Sequence, residues 1–300
     1  MKIFITGGTG FIGQELVSHL LLQDHEITIL TRYSQKAQQE RPELSYVIGN
    51  PTKRGPWQKI LERQDAVINL AGVSIFRQWT QKTKRAILNS RIQTTQRIIE
   101  AFYGKGKLLL SGSAVGYYGF HEEKPLDESC SRGKGFLASI ASKWEEEAQR
   151  ASEFGIRVIL CRSGVVLGKR GGVFVSLLKL FRNRFGSRLG DGRQWFSWIH
   201  VKDLCDAFSF LISQTGIEGP VNITAPNPVT NREMTEALNH ILGKRPILPR
   251  MPKFGLRILL GEFSETLIKG QRVYPQKLLD HGFSFAYPEI QEAIQNLLNL

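Results

Sequence analysis

The 300-residue chain has 40 Lys and Arg against 27 Asp and Glu, a formal net charge of +13, with 41% hydrophobic and 22% charged residues. This composition fits a folded protein with a large core, and no apolar run approaches the ~18 to 20 residues of a membrane span. Met1-Lys2 leads into a strand rather than a signal peptide, so a cytoplasmic location is expected. Cys130, Cys161 and Cys205 lie far apart, without C-x-x-C or His at ligand spacing, which argues against disulfides and a metal site.

In chain order, the strand-type run Ile3-Phe4-Ile5 meets a glycine cluster at once, and an amphipathic segment follows from Gln14 to Leu22. Gly8-x-Gly10-x-x-Gly13 fits the dinucleotide-binding fingerprint, with strand before and helix after. Its glycines serve a tight turn, close approach of backbone to a pyrophosphate, and close helix–strand packing. Gly7, Gly8, Thr9, Gly10, Phe11, Ile12 and Gly13 are therefore the candidate phosphate cradle.

Glu26 to Thr31 reads as the second strand, and its end is where such folds read the adenosine ribose. An acid there would bind the 2′-hydroxyl of NAD; this chain has Thr31-Arg32. Arg32, helped by Ser34 or Lys36, suits the 2′-phosphate of NADP. Leu44 to Ile48 is a third strand and Pro51 to Pro56 a loop. Asp65 to Gly72 is a short buried strand whose end, Leu70-Ala71-Gly72, lets backbone approach a ligand. Gln78 to Phe102 has helical periodicity and carries Arg91, either a buried ion-pair partner or a cofactor contact.

Lys107 to Leu110 is a strand running into Ser111-Gly112-Ser113-Ala114-Val115-Gly116-Tyr117-Tyr118-Gly119. That loop is either an active-site wall or a tight turn whose tyrosines pack. Gly135 to Ala151 is helical, and Arg157 to Cys161 is a strand ending in Arg162-Ser163-Gly164, a second ligand-edge segment. Beyond Gly171 come a basic helix, a glycine-rich loop from Gly186 to Gly192, the apolar run Trp195 to His200, and the helix Asp203 to Ser213. Val221 to Thr224 is a short strand, Asn231 to Leu242 a helix, and the tail is largely helical.

This alternation indicates an α/β fold: a Rossmann-like, doubly wound parallel sheet with a smaller, mostly helical C-terminal substrate-side domain. The nucleotide domain is expected over 1–168, with 193–224 returning to it, and the smaller domain over 169–192 and 225–300. The basic stretches Lys179 to Arg188 and Lys244 to Arg257 suit either an anionic partner or a solvated surface that also attracts a charged cofactor. Without a nucleic-acid motif, no specific nucleic-acid partner and no membrane partner are expected; a homodimer is left open.

These residues resemble the extended short-chain dehydrogenase/reductase superfamily, and within it the atypical epimerase-family NAD(P)-binding proteins. Gly7 to Gly13, Asn69 to Gly72, Ser111 to Gly119, Arg162 to Gly168, Trp198 to Asp203 and Gly270 to Pro275 carry the resemblance. It implies an NAD(P) cofactor, which the Thr31-Arg32 reading makes NADP (NADPH), with Thr31, Arg32, Leu70, Ala71, Gly72, Arg91, Ser111, Lys143 and Arg162 as candidate contacts beside the glycine loop. It implies Ser113 as the active-site serine and Lys143 as the lysine of a Tyr-x-x-x-Lys pair that holds the nicotinamide ribose. Ser139 stands where the tyrosine belongs, and an aliphatic hydroxyl cannot act as a phenol-type acid near neutral pH. Tyr117 or Tyr118 is the substitute the sequence offers. His200 belongs to a segment beside the substrate region in relatives. The resulting expectation is an NADP-dependent oxidoreductase or epimerase acting on a small polar substrate; the alternative is a non-enzymatic NADP-binding structural, redox-sensing or regulatory protein.

Overall fold

Ile3-Phe4-Ile5 and Ala66-Val67-Ile68 are apolar on both faces and fully buried, as parallel strands covered by helices on both sides must be. The computed structural model describes residues 1–33, 43–121, 123–248 and 250–299. Seven strands form the main sheet: β1 (Lys2–Thr6), β2 (Glu26–Thr31), β3 (Leu44–Ile48), β4 (Ala66–Asn69), β5 (Leu108–Ala114), β6 (Arg157–Ser163) and β7 (Gly219–Ile223). Their order is β7-β6-β5-β4-β1-β2-β3, and every pairing is parallel. The order reverses between β1 and β4, where an open α/β sheet leaves a crevice at its carboxyl edge.

The principal helices are α1 (Phe11–Leu21), α2 (Gln81–Ile99), α3 (Phe136–Gln149), α4 (Gly172–Arg182), α5 (Val201–Ser213), α6 (Asn231–Ile241), α7 (Lys253–Leu260) and α8 (Ile290–Leu298). Leu16, Leu20, Leu204, Phe208 and Leu211 of α1 and α5 pack on one face of the sheet, against Ile3, Ile5 and Ile27. Ile98, Ile99 and Ala148 of α2 and α3 pack on the other, against Phe4, Val67 and Leu109. The two faces are a direct consequence of the period of two along each strand.

A third apolar cluster joins α4, α6 and α8 through Phe174, Phe181, Met234, Leu238, Ile294 and Leu297. The tail also returns to the sheet, because Leu278 and Phe283 belong to the α1–α5 layer. Asp203 fixes that return: its fully buried carboxylate accepts the backbone N–H groups of Ala286 and Tyr287 at 2.7 and 3.0 Å. On α4 the basic side chains Lys179 and Arg182 are exposed while Phe174 and Phe181 are buried, so this stretch has a solvated charged face. No helix among the described residues is long and apolar enough to cross a membrane.

One boundary differs from expectation in a way that matters for the site. The strand expected to end at Leu110 continues to Ala114, with Ser113 paired opposite Arg162 on β6. Its small residues permit this, since a Cβ on Gly112 would lie 2.8 Å from the ring of Trp144. The loop therefore begins only at the tight turn Val115–Tyr118.

Candidate functional site

The glycine loop bridges β1 and α1 at the crevice. Gly7 has φ +77°, and a Cβ there would lie 2.7 Å from the carbonyl carbon of Leu70, so only glycine is tolerated. The turn requirement thus falls on Gly7, one residue before the expected triplet. Gly13 is the packing glycine: a Cβ would approach the Gly7 carbonyl oxygen to 2.3 Å. Gly10 caps α1 without a side-chain hydrogen bond, and the first turn holds no acid, which suits an anion at that end. The half-buried ring of Phe11 is lodged against Gly168, Gly171 and Gly172, where added Cβ atoms would come within 2.5 to 2.9 Å of it. Thr9 and Ile12 are half-buried in the same loop, and Leu70 and Ala71 sit half-buried beside it at the end of β4.

Thr31 is buried at the end of β2 and accepts the Tyr33 N–H, while Arg32 projects into solvent with its guanidinium 5.5 Å from the Tyr33 ring centroid. Ser34 and Lys36 lie outside the described residues. Arg91 reaches back from α2 to the β4 edge, donating to the carbonyls of Val73 and Ile87 at 3.0 and 3.1 Å. A Cβ on Gly72 would lie 2.9 Å from its Cζ, which explains the glycine at that position. Burial lowers its pKa to about 10, so it stays charged at neutral pH. Among the described residues no carboxylate pairs with it, so the ion-pair alternative has no partner; its charge is met by the two carbonyl dipoles and by the Trp144 ring, whose centroid lies 5.1 Å from its Cζ.

At the carboxyl ends of β5 and β6 lies a connected polar network. Ser113 donates to Glu145 Oε1 at 2.6 Å, and Arg162 grips the same carboxylate with both arms of its guanidinium, at 2.8 and 2.7 Å. Arg162 Nη1 also donates to the Tyr118 hydroxyl at 2.9 Å, and that hydroxyl donates to Asn222 Oδ1 at 2.7 Å. Burial opposes the charge on Arg162, but its interactions with Glu145 and Tyr118 together outweigh that and raise its pKa. Burial also raises the pKa of Tyr118, against the pull of Arg162.

Tyr118 is fully buried with its hydroxyl engaged on both sides, so it packs and braces rather than donating protons to a substrate. Tyr117 is the half-exposed member of the pair, and its ring covers Arg162, with the guanidinium carbon 3.5 Å from the centroid. The single proton of Ser113 is committed to Glu145, leaving its oxygen to accept but not donate. Arg162 is turned into this network, away from the cofactor role expected of it. Ser111 is fully buried, with its hydroxyl near the neighbouring carbonyl of Gly112.

Lys143 is not brought to Ser113. It is exposed and lines a surface groove between α2 and α3 with Leu88, Gln96 and Glu147. The helical repeat explains this: Glu145 faces Ser113, and a residue two positions earlier points to nearly the opposite side. Ser139 is half-buried on the same helix. His200 also departs from its expected place beside a substrate. Only 3% exposed, it caps α5 by accepting the Lys202 N–H on Nδ1 at 3.1 Å, and its ring stacks on Tyr287 at 4.1 Å. Burial lowers its pKa to about 4.

Glu145 and Asn222 were not singled out in the sequence. A signal for Glu145 existed: it falls on the inward stripe of Ala138, Ala141 and Ala148, among the buried positions of its helix. Nothing local marks Asn222, which reaches the network from β7. Among the described residues no cluster of His, Cys, Asp and Glu could hold a metal.

Residues 3–224 match the family model of the NAD dependent epimerase/dehydratase family, and residues 251–297 match a domain of unknown function, DUF1731. The epimerase family protein YfhF of Bacillus subtilis is 40% identical over 302 residues, covering 99% of this chain and 98% of that protein. The chloroplastic epimerase family protein SDR39U1 homolog of Arabidopsis thaliana is 37% identical over 303 residues, covering 99% and 87%. Human epimerase family protein SDR39U1, solved with NADPH, superposes with a TM-score of 0.86 at 29% identity, covering the whole of both chains. UDP-glucose 4-epimerase of Thermus thermophilus, solved with NAD, shares the fold at TM-score 0.77 and 17% identity, covering 99% of each chain. The glycine turn, the sheet order and these matches agree, and the chain belongs to the NAD-dependent epimerase/dehydratase family.

Proposed function

We propose that this protein binds NADP(H) at the carboxyl edge of its sheet and acts as an oxidoreductase or epimerase-like enzyme on a small polar substrate. The observation that carries the cofactor reading is the pair of arginines there, Arg32 beyond β2 and Arg91 beside Gly72, neither paired with a carboxylate among the described residues. The fit is supported by the cradle itself, which only glycine can form at Gly7, and by the NADPH in the human relative. Gly7 to Gly13 would hold the pyrophosphate, Arg32 the 2′-phosphate, and Arg91 the phosphate-bearing side of the crevice. Leu70, Ala71 and Gly72 would bring backbone against it.

When bound, the nicotinamide supplies hydride transfer. The chain's own part is proton transfer and positioning. Tyr117 is the phenol left to donate, since Tyr118 is locked and Ser139 has no phenolic proton. Ser113 would accept a hydrogen bond from a substrate hydroxyl. Calorimetric titration tests the cofactor reading: NADPH is expected to bind about tenfold or more tightly than NADH, and equal or reversed affinities would overturn it.

The non-enzymatic reading has one observation in its favour. Ser113 and Tyr118 are both built into a buried ion-pair network, and Lys143 faces solvent, so no complete Ser-Tyr-Lys set is assembled. It predicts NADPH binding with no oxidation of the cofactor by any small carbonyl compound.

A further inference from the structure

Next to the Val115–Tyr118 turn lies a cavity of about 800 Å³. Its floor includes Gly116 and Gly119 of that turn, one wall is the segment 130–137, and the opposite wall is Glu262, Glu265 and Lys269 of the C-terminal region. The segment 130–137 is clamped onto the turn: Gly133 N–H donates to the Tyr117 carbonyl at 3.0 Å, and a Cβ on Gly133 would overlap the Tyr118 carbonyl at 1.8 Å. The cavity is thus held against the loop that carries the proposed proton donor. Its size is in the range that takes a small molecule.

The lining has two chemistries. Trp79, Phe120 and Phe136 give an aromatic wall, with Trp79 and Phe136 edge to face at 4.9 Å. Lys124, Arg132 and Lys134 give positive charge. Both acids of the lining are already matched, Glu262 by Lys84 and Glu265 by Lys269 at 3.1 Å. Lys124, Arg132 and Lys134 have no carboxylate in ion-pair reach among the described residues. His121 also lines the cavity, its Nε2 donating to the Tyr118 carbonyl oxygen at 3.0 Å.

We propose that this cavity is the substrate site and selects an amphipathic anion. The acidic group is held by Lys124, Arg132 and Lys134, and the aromatic or apolar body lies against Trp79, Phe120 and Phe136. The assignment rests on the oxidoreductase reading only for the word substrate; the cavity's preference for such a molecule stands on its lining. A polar, uncharged sugar would gain no ion pair from Lys124, Arg132 and Lys134, whose side chains are exposed at the cavity.

The test uses two probes with the same rings, anilinonaphthalene sulfonate and the uncharged phenylnaphthylamine, titrated by fluorescence into the full chain saturated with NADP⁺. The sulfonate is expected to bind one to one and about tenfold or more tightly than the neutral probe. Combined Arg132→Ala and Lys134→Ala should erase that difference while leaving the neutral probe unaffected, and Trp79→Phe should weaken both probes. Equal affinities in the wild type, or a charge-removed variant that binds the sulfonate as the wild type does, would overturn the proposal. NADPH calorimetry on the same variants reads the cofactor site separately. If NADPH fails to bind, the functional reading fails, and the probe titration on the chain without NADP⁺ still decides the cavity.

Discussion

At the level of single residues, two tyrosines adjacent in sequence have opposite fates, and a pair of conservative substitutions separates them. Tyr117→Phe keeps the ring over Arg162 and removes an accessible hydroxyl. Once a substrate is found, kcat should fall roughly a hundredfold to ten-thousandfold with NADPH affinity unchanged. Tyr118→Phe instead leaves Arg162 and Asn222 each short of a buried partner, at a cost of about 1 to 3 kcal/mol in stability, read by denaturant unfolding. A Tyr117→Phe enzyme with full activity would remove the phenol from the mechanism. At the other end of the crevice, Arg32→Ala should reduce the preference for NADPH over NADH by about tenfold, leaving NADH binding nearly unchanged. Titration calorimetry with both nucleotides measures it directly.

At the level of elements, β5, β6 and α3 are joined by the Ser113–Glu145–Arg162 group, which is more than 90% buried at each residue. A buried pair of this kind is a weak source of net stability but costly to break by halves. Glu145→Gln should destabilise the fold by about 3 to 5 kcal/mol, because the Arg162 charge is left uncompensated. Thermal unfolding that is unchanged in this variant would contradict the geometry. A second element-level effect concerns the start of α5. His200 is neutral in the fold down to about pH 4, against 6.5 for an unperturbed histidine. The unfolded chain therefore takes up this proton first as pH falls. The stabilisation is complete above pH 6.5 and is lost progressively towards pH 4. His200→Asn keeps a capping acceptor and removes the titration, so the variant's melting temperature should fall less than the wild type's across that interval.

For the whole molecule, the charge of +13 is spread over exposed faces such as that of α4. Any retention on DNA should be independent of sequence and vanish steeply with added salt; a sequence-dependent shift at physiological salt would refute this. NADPH engages β1, β2, β4 and α2 together in the proposed mode. At a hundredfold excess over its dissociation constant it should stabilise the folded chain by about 2.7 kcal/mol, visible as a rise in melting temperature that NADH at the same concentration does not match. The two-domain division at 1–168 with 193–224 remains our proposal. Strand β7 in the main sheet and the return of Leu278 and Phe283 to its core imply that melting should be a single cooperative transition.

By itself the sequence determined the parallel sheet and the cofactor edge, because both are local. Buried strands read as continuous apolar runs, helices as a period of 3.6, and the Gly7 to Gly13 turn as small residues that backbone geometry demands. The place of Thr31-Arg32 was legible for the same reason, since it depends only on where the second strand ends. Tertiary structure decided the chemistry. Lys143 and Glu145 are two residues apart and equally polar, and only the rotation of α3 against β5 chose which one meets Ser113. Tyr117 and Tyr118 were equivalent until Arg162 from β6 and Asn222 from β7 locked one of them. The cavity drew on segments from Trp79 to Lys269, brought together by packing across nearly the whole chain, and no local pattern encodes such a meeting.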